Sequence, residues 1–189
     1  MADSISLSSE EKQQLLNVAA RSIDEGLITG APFQPDLSQY SDTLTATLSA
    51  FVTLTLSKQL RGCIGSLKAT QPLIQDVATH AFAAAFQDPR FPALQQEERQ
   101  DLEIDISILY PAIRMSFRDE NDLLAQLQPG VDGLILSEHG LSATFLPSVW
   151  ESLTEPRAFL NALKQKAGLP SDYWSESLRV ERYRTELVD

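Results

Sequence analysis

Between residues 73 and 108 the apolar repeat changes from the period of a helix to the period of a strand. Leu73, Val77, Ala81 and Ala84 recur at helical spacing, and Ile74, Ala78, Phe82 and Ala85 widen the stripe. Leu102, Ile104, Ile106 and Ile108 then alternate with Glu103, Asp105 and Ser107, which gives a strand one dry face and one wet face. The spacing predicts a helix from Leu73 to Phe86, opened by Pro72 and stopped by Asp88-Pro89, because the residue before proline disfavours helical backbone. It predicts that this helix packs on a sheet containing residues 102 to 108.

The remaining elements follow the same rules. Ser8 and Glu11 form the pattern of a capping box, with Leu15, Val18, Ala19, Ser22 and Ile23 on one face behind it and Gly26 as a stop. Residues 28 to 41 read as a loop. Phe51 to Leu56 alternate as a strand, and residues 60 to 65 form a second short strand or its exit loop. Glu97 and Glu98 start a helical turn, and residues 122 to 127 a short helix. Residues 134 to 136 and 141 to 146 make strands joined through Ser137-Glu138-His139-Gly140. Pro147 and Pro156 each open a helix, the second ended by Gly168, and residues 180 to 184 form an edge strand. Hairpin links dominate, so the fold class is α+β with an antiparallel or mixed sheet and packed helices.

The 189 residues suit one domain or two packed lobes. Such a chain buries roughly 70% of its unfolded surface and needs no disulfide or structural metal. Fifteen basic against 26 acidic residues give a net charge of −11, which opposes attraction to nucleic acid or an anionic bilayer. Met1-Ala2-Asp3-Ser4 carries neither the basic start nor the apolar run of a signal peptide. No stretch approaches the roughly 20 apolar residues of a membrane span. One cysteine, Cys63, excludes an internal disulfide and fits a reducing cytoplasm. The expected location is the cytoplasm, with no nucleic-acid or membrane partner.

The run Leu60-Arg61-Gly62-Cys63-Ile64-Gly65 resembles the six-residue hallmark of the AMMECR domain family, called protein A of the AmmeMemoRadiSam system in prokaryotes. Further stretches match in order. Phe51-Val52-Thr53-Leu54 precedes the hallmark and Ala84-Ala85-Phe86-Gln87-Asp88-Pro89-Arg90-Phe91 follows it. Gly130-Val131-Asp132-Gly133-Leu134, Thr144 to Trp150, Phe159 to Leu169 and Trp174 complete the series. Gln165 stands where relatives often carry cysteine. The resemblance covers about residues 10 to 185 of a single AMMECR-type domain spanning 1–189. It implies two closely associated α+β lobes and genomic company with a Memo-like protein and a radical SAM enzyme.

Residues 43 to 75 contain no Asp or Glu but hold Lys58, Arg61 and Lys68, so this stretch is +3 and leaves −14 for the remainder. The only basic stretch therefore surrounds the only thiol. Positive charge stabilises a thiolate and holds a carboxylate or phosphate, with arginine gripping in two places. Arg61, Gly62, Ile64, Gly65, Lys68 and Arg90 are the candidate ligand- or partner-binding residues. Gly62 and Gly65 leave backbone bare for a ligand or strand, or serve tight packing. Cys63 is a candidate nucleophile, and His80 its base if the two meet; the plainer readings are a buried filler and a satisfied structural histidine. Arg61 has an equally plain alternative, pairing with an acid of the remainder. Neither His80 nor His139 stands at metal-ligand spacing from Cys63, and no metal or cofactor is expected. Two functions follow. The leading one is a ligand- or partner-binding component working with Memo-like and radical SAM proteins. The alternative is an enzyme using Cys63 on an anionic small molecule.

Overall fold

A computed structural model describes residues 7–189; the N-terminal reading of residues 1–4 lies outside them. In chain order the elements are α1 (Ser9–Thr29), α2 (Asp42–Thr45), β1 (Ser49–Leu56), β2 (Gln59–Gly65), α3 (Leu73–Phe86), β3 (Leu102–Leu109), β4 (Ile113–Arg114), α4 (Glu120–Gln126), β5 (Gly133–Glu138), β6 (Leu141–Phe145), α5 (Pro156–Lys166), β7 (Arg179–Tyr183) and β8 (Thr185–Val188). Two four-stranded sheets run in the orders β2-β1-β3-β8 and β4-β7-β5-β6. The chain divides into two compact units. The first ends at Leu109 and regains Glu186–Asp189; the second is Tyr110–Thr185.

In the first unit α1 and α3 pack on each other and on the sheet. Ala50, Val52 and Leu54 of β1 pair with Ile108, Ile106 and Ile104 of β3, and this apolar row is where the core lies. The alternate row carries Thr53 opposite Asp105 and Thr55 opposite Glu103, as the period of two requires. Ser8 caps α1 with Glu11 in the expected box. Gly26, however, is buried within α1 and does not end it. A Cβ there would lie 2.4 Å from the Phe86 ring, so the glycine lets α3 come close, and Gly30 at φ 73° ends the helix.

The second unit closes over Leu123, Leu134, Leu136, Trp150, Phe159 and Leu163. Trp150 stacks on Phe159 at 3.8 Å, and its indole N–H donates to the Asp132 carbonyl. Residues 179–183 are not the edge strand expected, because β4 and β5 pair with β7 on either side. β4 is only two residues long, too short to leave a periodic pattern.

Candidate functional site

β1 and β2 are joined by Ser57 and Lys58, both with positive φ, as a two-residue hairpin turn requires. Past the turn Thr55 pairs with Leu60 but Leu54 pairs with Gly62. Arg61 is therefore the extra residue of a β-bulge, which turns its side chain out of the regular alternation. The side chain is buried and meets Glu98 in two parallel hydrogen bonds, Nε to Oε1 at 2.6 Å and Nη2 to Oε2 at 2.9 Å. That pairing raises Arg61 and lowers Glu98 from their ordinary values. The guanidinium also lies 6.0 Å from the Phe91 ring centre, within cation–π range. Of the two readings of Arg61, the structure shows the pairing with an acid of the remainder. The sequence gives no local sign of Glu98, which stands 37 residues away.

The two glycines face parts of the protein itself. A Cβ on Gly62 would lie 2.1 Å from the Ala84 carbonyl oxygen of α3, and one on Gly65 would lie 2.4 Å from the Phe51 ring. The bare backbone thus serves close helix–strand and cross-strand packing, not space for a ligand on those two sides.

Cys63 is half-buried and faces away from α3, because its neighbour Gly62 faces that helix. Its Sγ accepts a hydrogen bond from Thr53, its partner on β1, at 3.3 Å. β2 is the edge of its sheet, where outward N–H and C=O groups need covering. The Cys63 N–H donates to Asp88 Oδ2 at 2.9 Å, and the Cys63 carbonyl accepts from Arg90 Nη2 at 3.3 Å. Arg90 in turn grips the buried Asp88 through Nε at 2.9 Å and Nη2 at 2.6 Å. This guanidinium, helped by the Cys63 N–H, holds the Asp88 carboxyl far below the usual carboxylate range. The Asp-Pro-Arg-Phe run is thus a clamp on the strand edge at the cysteine.

His80 does not join this group. Its Nδ1 lies 3.0 Å from Asp76 Oδ2 on α3, and the same oxygen accepts the Ala50 N–H at 2.9 Å. The histidine sits on the helix side of the sheet and Cys63 faces the opposite side, so the pair expected as nucleophile and base is not assembled. Ile64 pairs with Val52 in the hairpin. Lys68 lies exposed in the loop after β2, where Ser66 Oγ accepts its backbone N–H. Lys58 is exposed at the turn. What β2 offers outward is Lys58 and Leu60 at one end, Leu67 and Lys68 at the other, and the half-exposed guanidinium of Arg90 between them in the clamp. Among the described residues no three of His, Cys, Asp and Glu are grouped to hold a metal ion, and no helix is long and apolar enough to cross a membrane.

The sequence profile described as AMMECR1 matches residues 16–188. The chain is 32% identical over 188 residues to a protein of Methanothermobacter thermautotrophicus, covering 96% of this chain and 95% of that one. It is 35% identical over 158 residues to a protein of Nanoarchaeum equitans, covering 82% and 87%. Among solved structures it resembles an uncharacterized protein, PH0010, of Pyrococcus horikoshii, with a TM-score of 0.80 and 31% identity over 96% of this chain and 92% of that one.

Proposed function

The chain belongs to the AMMECR1 family, and from that premise we propose that it is a binding component whose β2 edge docks a partner or an anionic small molecule. The partners that the family resemblance implies are a Memo-like protein and a radical SAM enzyme, in the cytoplasm. One observation carries the reading: Lys58, Leu60, Leu67 and Lys68 stand exposed at the two ends of a strand whose middle is fixed by the Asp88–Arg90 clamp. A rigid element presenting cations and apolar groups together is suited to recognition. Arg61 already pairs with Glu98, so the free positive charge of this acidic protein's basic stretch resides on the two lysines. The clamp also covers the strand edge at Cys63, which argues for side-chain contact rather than addition of a strand there.

The second reading, catalysis by Cys63, rests on the half-buried thiol that accepts from Thr53 beside Arg90. One experiment separates the two. Affinity capture from native lysate by the tagged protein should recover a Memo-like or radical SAM partner, and Lys58→Glu with Lys68→Glu should abolish recovery while Cys63→Ser preserves it. Undiminished recovery by the double lysine variant rejects the proposed face. Full binding by Cys63→Ser, with loss of a partner-dependent activity, favours the thiol.

A further inference from the structure

In the second unit the chain between α5 and β7 runs without helix or strand from residue 168 to 178. Its own backbone hydrogen bonds, Tyr173 to Pro170 and Leu178 to Ser175, close local turns. Side chains fasten it to the rest of the unit. Tyr173, Ser175 and Ser177 all donate to one oxygen, Oε1 of Glu138 at the end of β5, at 2.7, 2.5 and 2.8 Å. Trp174 packs on Phe117 with ring centres 5.6 Å apart. Beneath the segment lies the Lys164 amine, whose side chain is 0% exposed. It donates to Glu120 at 2.9 Å and to the Ser171 carbonyl at 3.3 Å, and lies 5.8 Å from the Trp174 ring.

We propose that residues 171–177 form a strap that opens and closes as one piece over the Lys164 amine, with Glu138 as its latch. Two features of the closed state favour this. The second oxygen of Glu138, Oε2, is buried with no hydrogen-bond partner among the described residues, on a side chain only 1% exposed. The Lys164 amine, with its side chain 0% exposed, is closed off from water and has the Ser171 carbonyl of the segment as one of its partners. The unpaired oxygen is an unfavourable burial that opening relieves by hydration, and water replaces the Ser171 carbonyl at the amine when the segment lifts. Closing is favoured by the three hydroxyl bonds to a single carboxylate and by the aromatic contact of Trp174. Opposed terms confined to a short irregular segment are what give a region its own opening equilibrium, separate from global unfolding. The open state uncovers the Lys164 amine beside Glu120.

Hydrogen exchange and amine acetylation by acetic anhydride on the full chain test this. Because Glu138→Ala also leaves a cavity, the latch is better weakened from the strap side, with Tyr173→Phe, Ser175→Ala and Ser177→Ala combined. Hydrogen bonds to a charged group are each worth about tenfold or more in such an equilibrium. The triple variant should therefore speed Lys164 acetylation and exchange at 171–177 at least about tenfold, while β5 and β6 amides keep their protection. Unchanged rates overturn the proposal. So does acceleration that appears only together with loss of protection in β5 and β6, because the segment then opens only when the unit unfolds.

Discussion

Gly62 shows how much one missing side chain can decide. The hallmark run invites a reading in which its glycines make room for a ligand, yet the space beside Gly62 is taken by the Ala84 carbonyl of α3. Backbone cannot swing aside as a side-chain tip can, so an added methyl must push strand and helix apart. Overpacking costs about 1–3 kcal/mol, and Gly62→Ala should fall at the upper end, lowering the melting temperature by roughly 6–12 °C for a chain of this size. Thermal unfolding followed by circular dichroism checks this, and a wild-type melting temperature would show that the approach is not tight. Arg61 gives a parallel lesson. Its type predicts a bidentate grip, and the grip is there, but the carboxylate belongs to Glu98 of the same chain. Residue type was legible in both cases; the neighbour was not, because it comes from a distant part of the chain.

The β1–β2 hairpin is the element that displays the hallmark, and its geometry is set by two local devices. Ser57 and Lys58 hold φ at 51° and 64°, a region that costs ordinary residues about 1 kcal/mol or more each. The bulge at Arg61 then shifts the register, so that Arg61 reaches Glu98 while Cys63 faces Thr53. Asn-Gly is the dipeptide best suited to such a turn. Replacing Ser57→Asn and Lys58→Gly together should stabilise the protein by about 1 kcal/mol, read as a higher urea midpoint with an unchanged slope. A lower midpoint would mean that the turn is held by contacts of these two side chains. The sequence pointed to β1, through the alternation of Phe51 to Leu56, and left residues 60 to 65 as a second short strand or its exit loop, but it offered no sign of the bulge. A bulge adds a residue on one strand and is defined only against its partner.

For the whole molecule, the acidic balance and the placement of its carboxylates together predict a pH response. Hydrogen bonds hold Asp88, Glu98, Glu138, Glu11 and Asp122 below their ordinary values, from Arg90, Arg61, Ser175, Ser41 and the Arg118 backbone respectively as the leading causes. The unfolded chain, with values near 3.8 for Asp and 4.5 for Glu, binds protons first as pH falls. These groups therefore contribute stability that is complete above about pH 5 and is lost as pH drops through the lower folded values. Asp36, lowered first by the Ser38 hydroxyl, acts in the same sense, and Asp105, which burial raises, acts in the opposite one, one group against six among the described residues. The melting temperature should hold between pH 6 and 8 and fall steadily below about pH 4.5. A series of melts down to pH 3 in which it stays level or rises would contradict this assignment.

Local pattern alone determined the elements with strong periodicity: α1 from its capping box, α3 and β3 from the change of period, and the β5–β6 hairpin from its turn. It also determined the family, because the matched runs lie in one order along the chain. Interactions between distant residues were decided by the tertiary structure. It ran α1 past Gly26, since the glycine is needed for the approach of Phe86. It put β7 inside its sheet by adding β4, a strand too short to read. At the hallmark it set Asp88 and Arg90 on the edge of β2 at Cys63 and left His80 with Asp76 on the other side of the sheet. Period and capping act over a few residues and are written in consecutive positions; which side chain meets which across a sheet depends on register, bulge and edge, and these exist only once the strands have paired.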